Sequence, residues 1–244
     1  MELQSQSHQK LVDILPAHLF DQLHTDWQRV LQPQKKLIGH IESKLVDVDI
    51  APGFSHVFRS LSRPIESTRA VIFGQDPYPT KGHAHGLAFS VDQSVSALPP
   101  SLRNILTELS SDLGVTRRSG DLSDWFDQGV LLINRVLTTQ TGSSLAHSNF
   151  GWQEVTDAVA QELGKHDVVA ILWGKSAGEL SRYFGLSGEL SPCIPVHCRL
   201  IADSLAPNHS RDVMKFLYRI KKAQYIGSCL GKAKGPRFPE GPCL

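Results

Sequence analysis

The sequence predicts a three-layer α/β/α protein, in which helices cover both faces of a central, mostly parallel four-stranded sheet. Three short runs, at residues 69–74, 129–134 and 167–173, are apolar almost throughout, which is typical of strands buried on both faces. Segments with helical spacing separate these runs, and such alternation favours a parallel sheet. Because 244 residues can bury one sizeable core, we expect residues 1–244 to form a single domain.

The segments before and between these strands carry helical patterns. Over residues 8–45 apolar side chains recur at roughly helical spacing, and Pro16 and Pro33 interrupt them, so we predict two or three short helices there. The apolar residues of this segment include Leu11, Ile14, Leu15, Phe20, Leu23 and Trp27. A Pro-Pro-Ser run at residues 99–101 predicts the start of a helix, and residues 151–163 predict another. The apolar face of the first would consist of Leu102, Ile105, Leu106, Leu109 and Leu113.

Charge and cysteine usage narrow the class of protein. The formal net charge is +1, so affinity for nucleic acid would have to come from a local patch and not from the whole molecule. Residues 1–5 lack the features of a secretion signal, and no apolar run approaches the length of a membrane span. All four cysteines follow residue 192, which fits a reducing compartment. We therefore expect a cytoplasmic protein with no membrane partner.

The loops that follow the predicted strands carry the residues suited to chemistry. Ligands of parallel α/β sheets bind beyond the carboxyl ends of the strands. Residues 74–79 follow the first strand and read Gly-Gln-Asp-Pro-Tyr-Pro, which combines an amide, a carboxylate and an aromatic ring. Phe89 offers a flat stacking face, and Asn134 ends the second strand with an amide that both donates and accepts. A site for a planar, hydrogen-bonding ring needs such parts.

Each of these features has a simpler structural interpretation when it stands alone. A Gly-x-Asp-Pro sequence is most often a plain turn, a phenylalanine in an apolar run usually belongs to the core, and a strand-end asparagine is usually a cap. The functional interpretation depends on finding all of them together, in order, at strand ends.

Two motifs resemble the family 1 uracil-DNA glycosylases. Residues 74–78 are Gly-Gln-Asp-Pro-Tyr, and residues 85–91 are His-Gly-Leu-Ala-Phe-Ser-Val. The similarity extends to residues 98–102, 129–134 and 172–174, within a stretch of roughly 50 to 185. The resemblance implies an enzyme that flips uracil out of DNA and hydrolyses its N-glycosidic bond. It also implies single- or double-stranded uracil-containing DNA as the partner, a monomer, and no metal or organic cofactor.

The resemblance implies a role for each residue of the loops. Asp76 would orient or activate the attacking water and, while ionised, stabilise an oxocarbenium-like sugar. Tyr78 would fill the space that the 5-methyl group of thymine needs. Phe89 would stack on the flipped uracil, and Asn134 would bind its edge and disfavour cytosine. Backbone amides near Gln75 would stabilise the departing uracil anion.

The resemblance also implies contacts with the DNA backbone. Ser90 and the run of Pro99, Pro100 and Ser101 would contact phosphates and help to bend the strand. Gly174 would lie at a further phosphate contact.

Two positions depart from the family pattern. Pro79 stands where histidine is common, at a position that we expect to support the loop. Lys175 follows Gly174 where a Gly-Ser pair is usual, which puts the phosphate contact there in doubt. The Gly-Lys-Ser sequence at residues 174–176 would also suit a phosphate-binding P-loop, but that motif needs glycine at position 169, which is Val169.

The end of the chain lacks a second family motif. The family carries a His-Pro-Ser-Pro-Leu-Ser loop, whose histidine binds the departing uracil and whose leucine inserts into the duplex, whereas residues 188–244 contain no such run. A shifted reading frame explains the difference. Bases taken across Cys193 and Ile194 can encode only His or Tyr, and those across His197 and Cys198 can encode only Leu; the intervening junctions permit the rest of the loop.

Two alternatives remain for this tail. Cys193, His197, Cys198 and Cys229 could bind a metal, although adjacent histidine and cysteine ligands are awkward and the spacing is not that of a usual zinc motif. If the tail is genuine as written, the chain would be a catalytically impaired, DNA-binding relative, because it would lack the leaving-group histidine and the inserted leucine.

Overall fold

The computed structural model describes residues 18–46, 48–113 and 116–184, without the side chains of residues 108, 109 and 111–113. Its strands are β1 (Ile50–Ala51), β2 (Ala70–Gly74), β3 (Val130–Asn134), β4 (Thr139–Gln140) and β5 (Val169–Leu172). Its α-helices are α1 (Thr25–Val30), α2 (Lys35–Leu45), α3 (Pro100–Leu113), α4 (Ser123–Asp127), α5 (Trp152–Leu163) and α6 (Lys175–Gly178). Short 3-10 helices span Leu19–Gln22, Gln32–Gln34, Phe54–His56, Arg59–Leu61, Ile65–Ser67 and Glu179–Phe184.

The three predicted strands form one parallel sheet in the order β3-β2-β5. Gly74 pairs with Asn134, and Phe73 pairs with Leu172, so all three strands reach their carboxyl ends at the same edge. A separate antiparallel ribbon of β1 and β4 was not predicted. The parallel sheet has three strands among the described residues, so the fourth strand stays a prediction.

Helices cover both faces of this sheet, as predicted. Val71 and Phe73 pack on one face with residues of α1, α2 and α5, among them Trp27 and Trp152. Ile72 packs on the other face with residues of α3 and α4. Successive side chains of a strand point to opposite faces, so strands apolar throughout serve two cores at once. Each fully buried large side chain contributes roughly 1.5–3 kcal/mol.

The predicted helices occur with small shifts in their bounds. Helix α3 begins at Pro100, where the fixed φ of proline suits the first helical position, and Leu102, Ile105 and Leu106 are buried. The structure does not describe the side chains of Leu109 and Leu113. Two α-helices and two 3-10 helices lie between residues 18 and 46, with Pro33 in the 3-10 helix between α1 and α2. The predicted apolar positions Leu11, Ile14 and Leu15 lie outside the described residues.

No described helix is long and apolar enough to cross a membrane. The part of the chain that the structure covers also contains no cluster of three or more His, Cys, Asp or Glu residues that could bind a metal ion. The suggested metal ligands, Cys193, His197, Cys198 and Cys229, lie outside the described residues, as does the whole tail from residue 188 onward.

Candidate active site

A cavity of about 290 Å³ opens beside the carboxyl ends of β2 and β3. The loops after these strands supply much of its wall, as expected for a parallel sheet. Seven of the ten predicted site residues line it: Gln75, Asp76, Tyr78, Phe89, Ser90, Ser101 and Asn134. The first and last of these residues, Gln75 and Asn134, are 59 positions apart in the sequence. The pairing of β2 with β3, which places Gly74 beside Asn134, brings them together.

Three predicted residues do not line this cavity. Pro99 is buried, Pro100 is exposed at the start of α3, and Gly174 is exposed at the residue before α6. Gly174 has a positive φ of 87°, and no atom lies within 4 Å of where its Cβ would be. Their roles in contacting DNA therefore stay predictions about a surface outside the cavity.

The carboxylate of Asp76 lies at the cavity wall and is half-buried. Its Oδ2 accepts a hydrogen bond of 2.7 Å from the backbone N–H of Leu145. The side-chain amide of Gln75 is 3.5 Å from Oδ1. A hydrogen bond from a backbone N–H fixes the orientation of a carboxylate.

Gly74, Phe89 and Asn134 form a closely packed wall. A Cβ at Gly74 would lie 2.2 Å from Asn134 Oδ1 and 3.1 Å from Phe89 Cε2. The ring of Phe89 meets Trp173 edge-on, with centroids 4.8 Å apart, and Phe89 has a positive φ of 64°. Only glycine at position 74 leaves room for the amide and the ring together.

Tyr78 is fixed across the cavity by its hydroxyl group. Tyr78 Oη lies 2.7 Å from Ser101 Oγ and donates a longer bond of 3.4 Å to the carbonyl oxygen of Phe89. Burial raises the pKa of Tyr78 to about 12. The phenol therefore stays neutral at physiological pH, and its ring is a fixed steric element.

A buried histidine supports the segment that carries Phe89 and Ser90. Burial, followed by the nearby charge of Arg59, lowers the pKa of His85 to about 4, so its ring is neutral. His85 Nδ1 contacts the Arg59 guanidinium, which can only donate. His85 Nε2 must then carry the hydrogen and donate to Ser90 Oγ at 2.6 Å. Ser90 Oγ also accepts from the Leu122 N–H at 2.8 Å, which ties this segment to the start of α4.

Sequence reasoning missed several residues of the site. Pro52, Val57 and Ser60 line the cavity from the segment before β2, and no motif marks them. The backbone N–H of Leu145 was missed as well, because it acts through a group that every residue except proline has. Its one unusual feature is a positive φ of 59°, which the sequence does not reveal.

The fold and the cavity define an α/β protein with a carboxylate beside a pocket suited to a flat, hydrogen-bonding ring. The model of the uracil DNA glycosylase superfamily matches residues 63–215. The chain is 42% identical over 181 residues to the uracil-DNA glycosylase of Corynebacterium efficiens, covering 70% of this chain and 74% of that relative. It is 44% identical over 170 residues to that of Chlamydia abortus, with 68% and 72% covered. The chain belongs to the uracil-DNA glycosylase superfamily.

Solved structures agree with this assignment. The mimivirus uracil-DNA glycosylase superposes with a TM-score of 0.61 at 27% identity, covering 68% of this chain and 66% of that one. A structure from Nitratifractor salsuginis covers 90% of this chain with a TM-score of 0.55. At 18% identity, the second likeness concerns the fold alone.

Proposed function

We propose that this chain is a uracil-DNA glycosylase that starts base excision repair by removing uracil from DNA. The observation that carries the proposal is the placement of the Asp76 carboxylate in the same cavity as the wall of Phe89 and Asn134. Relatives named uracil-DNA glycosylase at 42–44% identity support the same activity. A flipped base is bound by stacking and by hydrogen bonds to its edge, and this cavity offers both.

We infer that Asp76 acts on the sugar side of the bound nucleotide. The bond between the sugar C1′ and uracil N1 breaks with its electron pair passing to the base, which leaves as an anion. The ionised carboxylate stabilises the positive charge on the sugar and orients the water whose oxygen bonds to C1′. Backbone amides near Gln75 stabilise the uracil anion. The water gives up one proton as its oxygen bonds to C1′, and one proton is taken up by the uracil anion, so the products are free uracil and an abasic site. No cofactor takes part in this proposal.

Base selection falls to two residues in this proposal. The ring of Tyr78, fixed by Ser101, excludes the 5-methyl group of thymine. The amide of Asn134 pairs with the edge of uracil and leaves cytosine with mismatched donors and acceptors. Shortening Tyr78 to alanine should permit slow release of thymine from DNA, while Tyr78→Phe, which keeps the ring, should not. Excision assays on matched thymine and uracil substrates would measure the difference.

The DNA strand would lie across the mouth of the cavity. We propose that Ser90, Pro99, Pro100, Ser101 and Gly174 contact its phosphates. Ser90 and Ser101 line the cavity, Pro99 and Pro100 lie at the start of α3, and Gly174 precedes α6. We also propose that the enzyme is a monomer, that it acts in the cytoplasm, and that a fourth strand completes the parallel sheet.

Asp76→Asn tests the proposed chemistry. The amide keeps the shape of the side chain but removes its charge, so we expect excision to fall by roughly 10²–10⁴-fold. Cleavage of a uracil-containing strand measures excision, and retained binding to the same DNA shows that the fold survives. Unchanged excision by Asp76→Asn would show that the mechanism is wrong.

We propose that residues from about 188 onward are a shifted reading frame. Resequencing across codons 185–244 tests this directly. A base missing or added near codon 188 would restore the family loop with its histidine and leucine. If the written frame stands, we expect strongly impaired excision, because the leaving anion and the flipped state each lose a stabilising group.

A further inference from the structure

The carboxylate of Asp76 depends on a donor from a distant loop. Leu145, whose N–H donates to Asp76 Oδ2 at 2.7 Å, lies 69 positions later in the chain. The donor is a backbone group, so its position depends entirely on the path of the loop around Leu145. Whatever fixes that path also fixes the carboxylate.

The loop follows a path that leucine does not prefer. Leu145 has a φ of 59°, in the left-handed region that side chains with a Cβ avoid. Its side chain is 41% exposed, so apolar packing does little to compensate. Backbone conformations of this kind persist only where other interactions impose them.

A buried threonine supplies those interactions. The hydroxyl of Thr139, at the start of β4, donates to the carbonyl oxygen of Ser143 at 2.6 Å. The hydroxyl oxygen of Thr139 also accepts a hydrogen bond of 3.3 Å from the N–H of Ala146. These two bonds bracket Leu145 on both sides, and the side chain of Thr139 is fully buried beneath the turn.

We propose that Thr139 is a positioning residue for catalysis: its hydroxyl sets the turn of residues 143–146, and the turn aims the Leu145 N–H at Asp76. This inference rests on the proposed function, because it assigns Asp76 to the chemical step. Thr139 does not line the cavity. Its effect should therefore appear in the rate of bond cleavage and not in substrate binding.

Thr139→Val is the direct test, since it replaces the hydroxyl with a methyl group of similar size. We expect kcat for uracil excision to fall about 10- to 100-fold, the range that follows from a small misplacement of a catalytic group. KM should change less than about twofold, because the hydroxyl would act on the transition state and not on substrate binding. Thr139→Ser keeps the hydroxyl, so its kcat should stay within about threefold of the value for the unaltered chain. This loss is smaller than the one expected for Thr139→Val.

One further variant separates positioning from stability. Thr156→Val removes another fully buried hydroxyl, which lies on helix α5 and bonds to Arg135 and not to the turn. It should lower the melting temperature comparably and leave kcat unchanged.

The outcomes distinguish this inference from the proposed function. If the unaltered chain excises uracil, Asp76→Asn does not, and Thr139→Val behaves like the unaltered chain, the function stands and the role of Thr139 is overturned. Equal losses of kcat in Thr139→Val and Thr156→Val would also overturn it, since that result reflects general destabilisation. If Asp76→Asn keeps full activity, the proposed chemistry itself fails.

Discussion

The loop after β2 and the loop after β4 meet at Asp76 but contribute in different ways. The first, residues 75–79, supplies side chains whose chemistry is visible from residue type, above all the carboxylate of Asp76 and the ring of Tyr78. The second, residues 141–147, supplies a backbone N–H from an exposed leucine. A catalytic side chain can therefore be recognised from the sequence, whereas the group that orients it cannot.

The two loops are also stabilised by different means. Pro77 and Pro79 restrict the first loop covalently, since proline fixes its own φ. Hydrogen bonds fix the second: Thr141 N–H donates to Asp49 O at 2.8 Å, and Gly142 N–H donates to Pro79 O at 2.8 Å. The last of these bonds joins one loop to the other. The second loop should thus be the more sensitive to loss of a single hydroxyl.

The largest expected effect tests whether the two loops act as one unit. Asp76→Ala removes the carboxylate that we propose to be catalytic, and we expect a loss of roughly 10²–10⁴-fold in kcat. In that background Thr139→Val should cost less than about twofold more, because residues that act through a shared partner are not additive. Single-turnover excision by both single variants and the double variant measures the coupling. Independent, multiplied losses would mean that Thr139 acts on something other than Asp76.

The next effect concerns the wall between the loops. Gly74→Ala would place a Cβ 2.2 Å from Asn134 Oδ1, which forces the amide away from the base edge. We expect kcat/KM to fall about 10- to 100-fold, as small displacements in active sites do. Gly39→Ala, where no atom lies within 4 Å of the new Cβ, is the matched control and should leave excision unchanged. Normal activity in Gly74→Ala would show that this wall adapts freely.

A third prediction extends the comparison to the support beneath Phe89. Burial and the charge of Arg59 lower the pKa of His85 from its usual value near 6.5 to about 4. Between these two pH values the unfolded chain therefore binds a proton that the folded chain does not. Stability should fall by at most about 3 kcal/mol as pH drops from 6.5 towards 4. Urea unfolding across this range measures the slope.

His85→Asn provides the control for this slope. Asparagine still offers an acceptor to Arg59 but does not titrate, so the variant should lose the part of the pH dependence that His85 causes. An unchanged slope would assign the effect to other groups.

The smallest expected effect concerns the exposed residue after Gly174. If Lys175 contacts a phosphate in place of the usual serine, Lys175→Ala should lower the slope of log binding constant against log salt by about 0.7 to 0.9. Titration of single- and double-stranded DNA at several salt concentrations measures this. Lys36 is an exposed lysine on helix α2 that lines no part of the cavity, so Lys36→Ala should leave the slope unchanged. Equal slopes for both variants would place Lys175 outside the DNA contact.

Sequence patterns predicted the strands well because the core imposes a simple rule on them. Residues 70–74 and 130–133 are buried on both faces of the sheet, and only continuous apolar runs satisfy that condition. The ribbon of β1 and β4 was missed because two residues per strand are too few to show a period. This short ribbon matters for the site because β4 begins with Thr139, the residue that we propose positions the turn of residues 143–146.

The sequence by itself determined which chemistry the site offers: the carboxylate of Asp76, the ring of Phe89 and the amide of Asn134 follow predicted strands and are recognisable by type. The tertiary structure decided how these groups are oriented. The room at Gly74 depends on Asn134, 60 positions later, and the orientation of Asp76 depends on Leu145. The type of each residue can be read directly from the sequence, but a hydrogen bond or a close approach between distant segments exists only once the chain has folded.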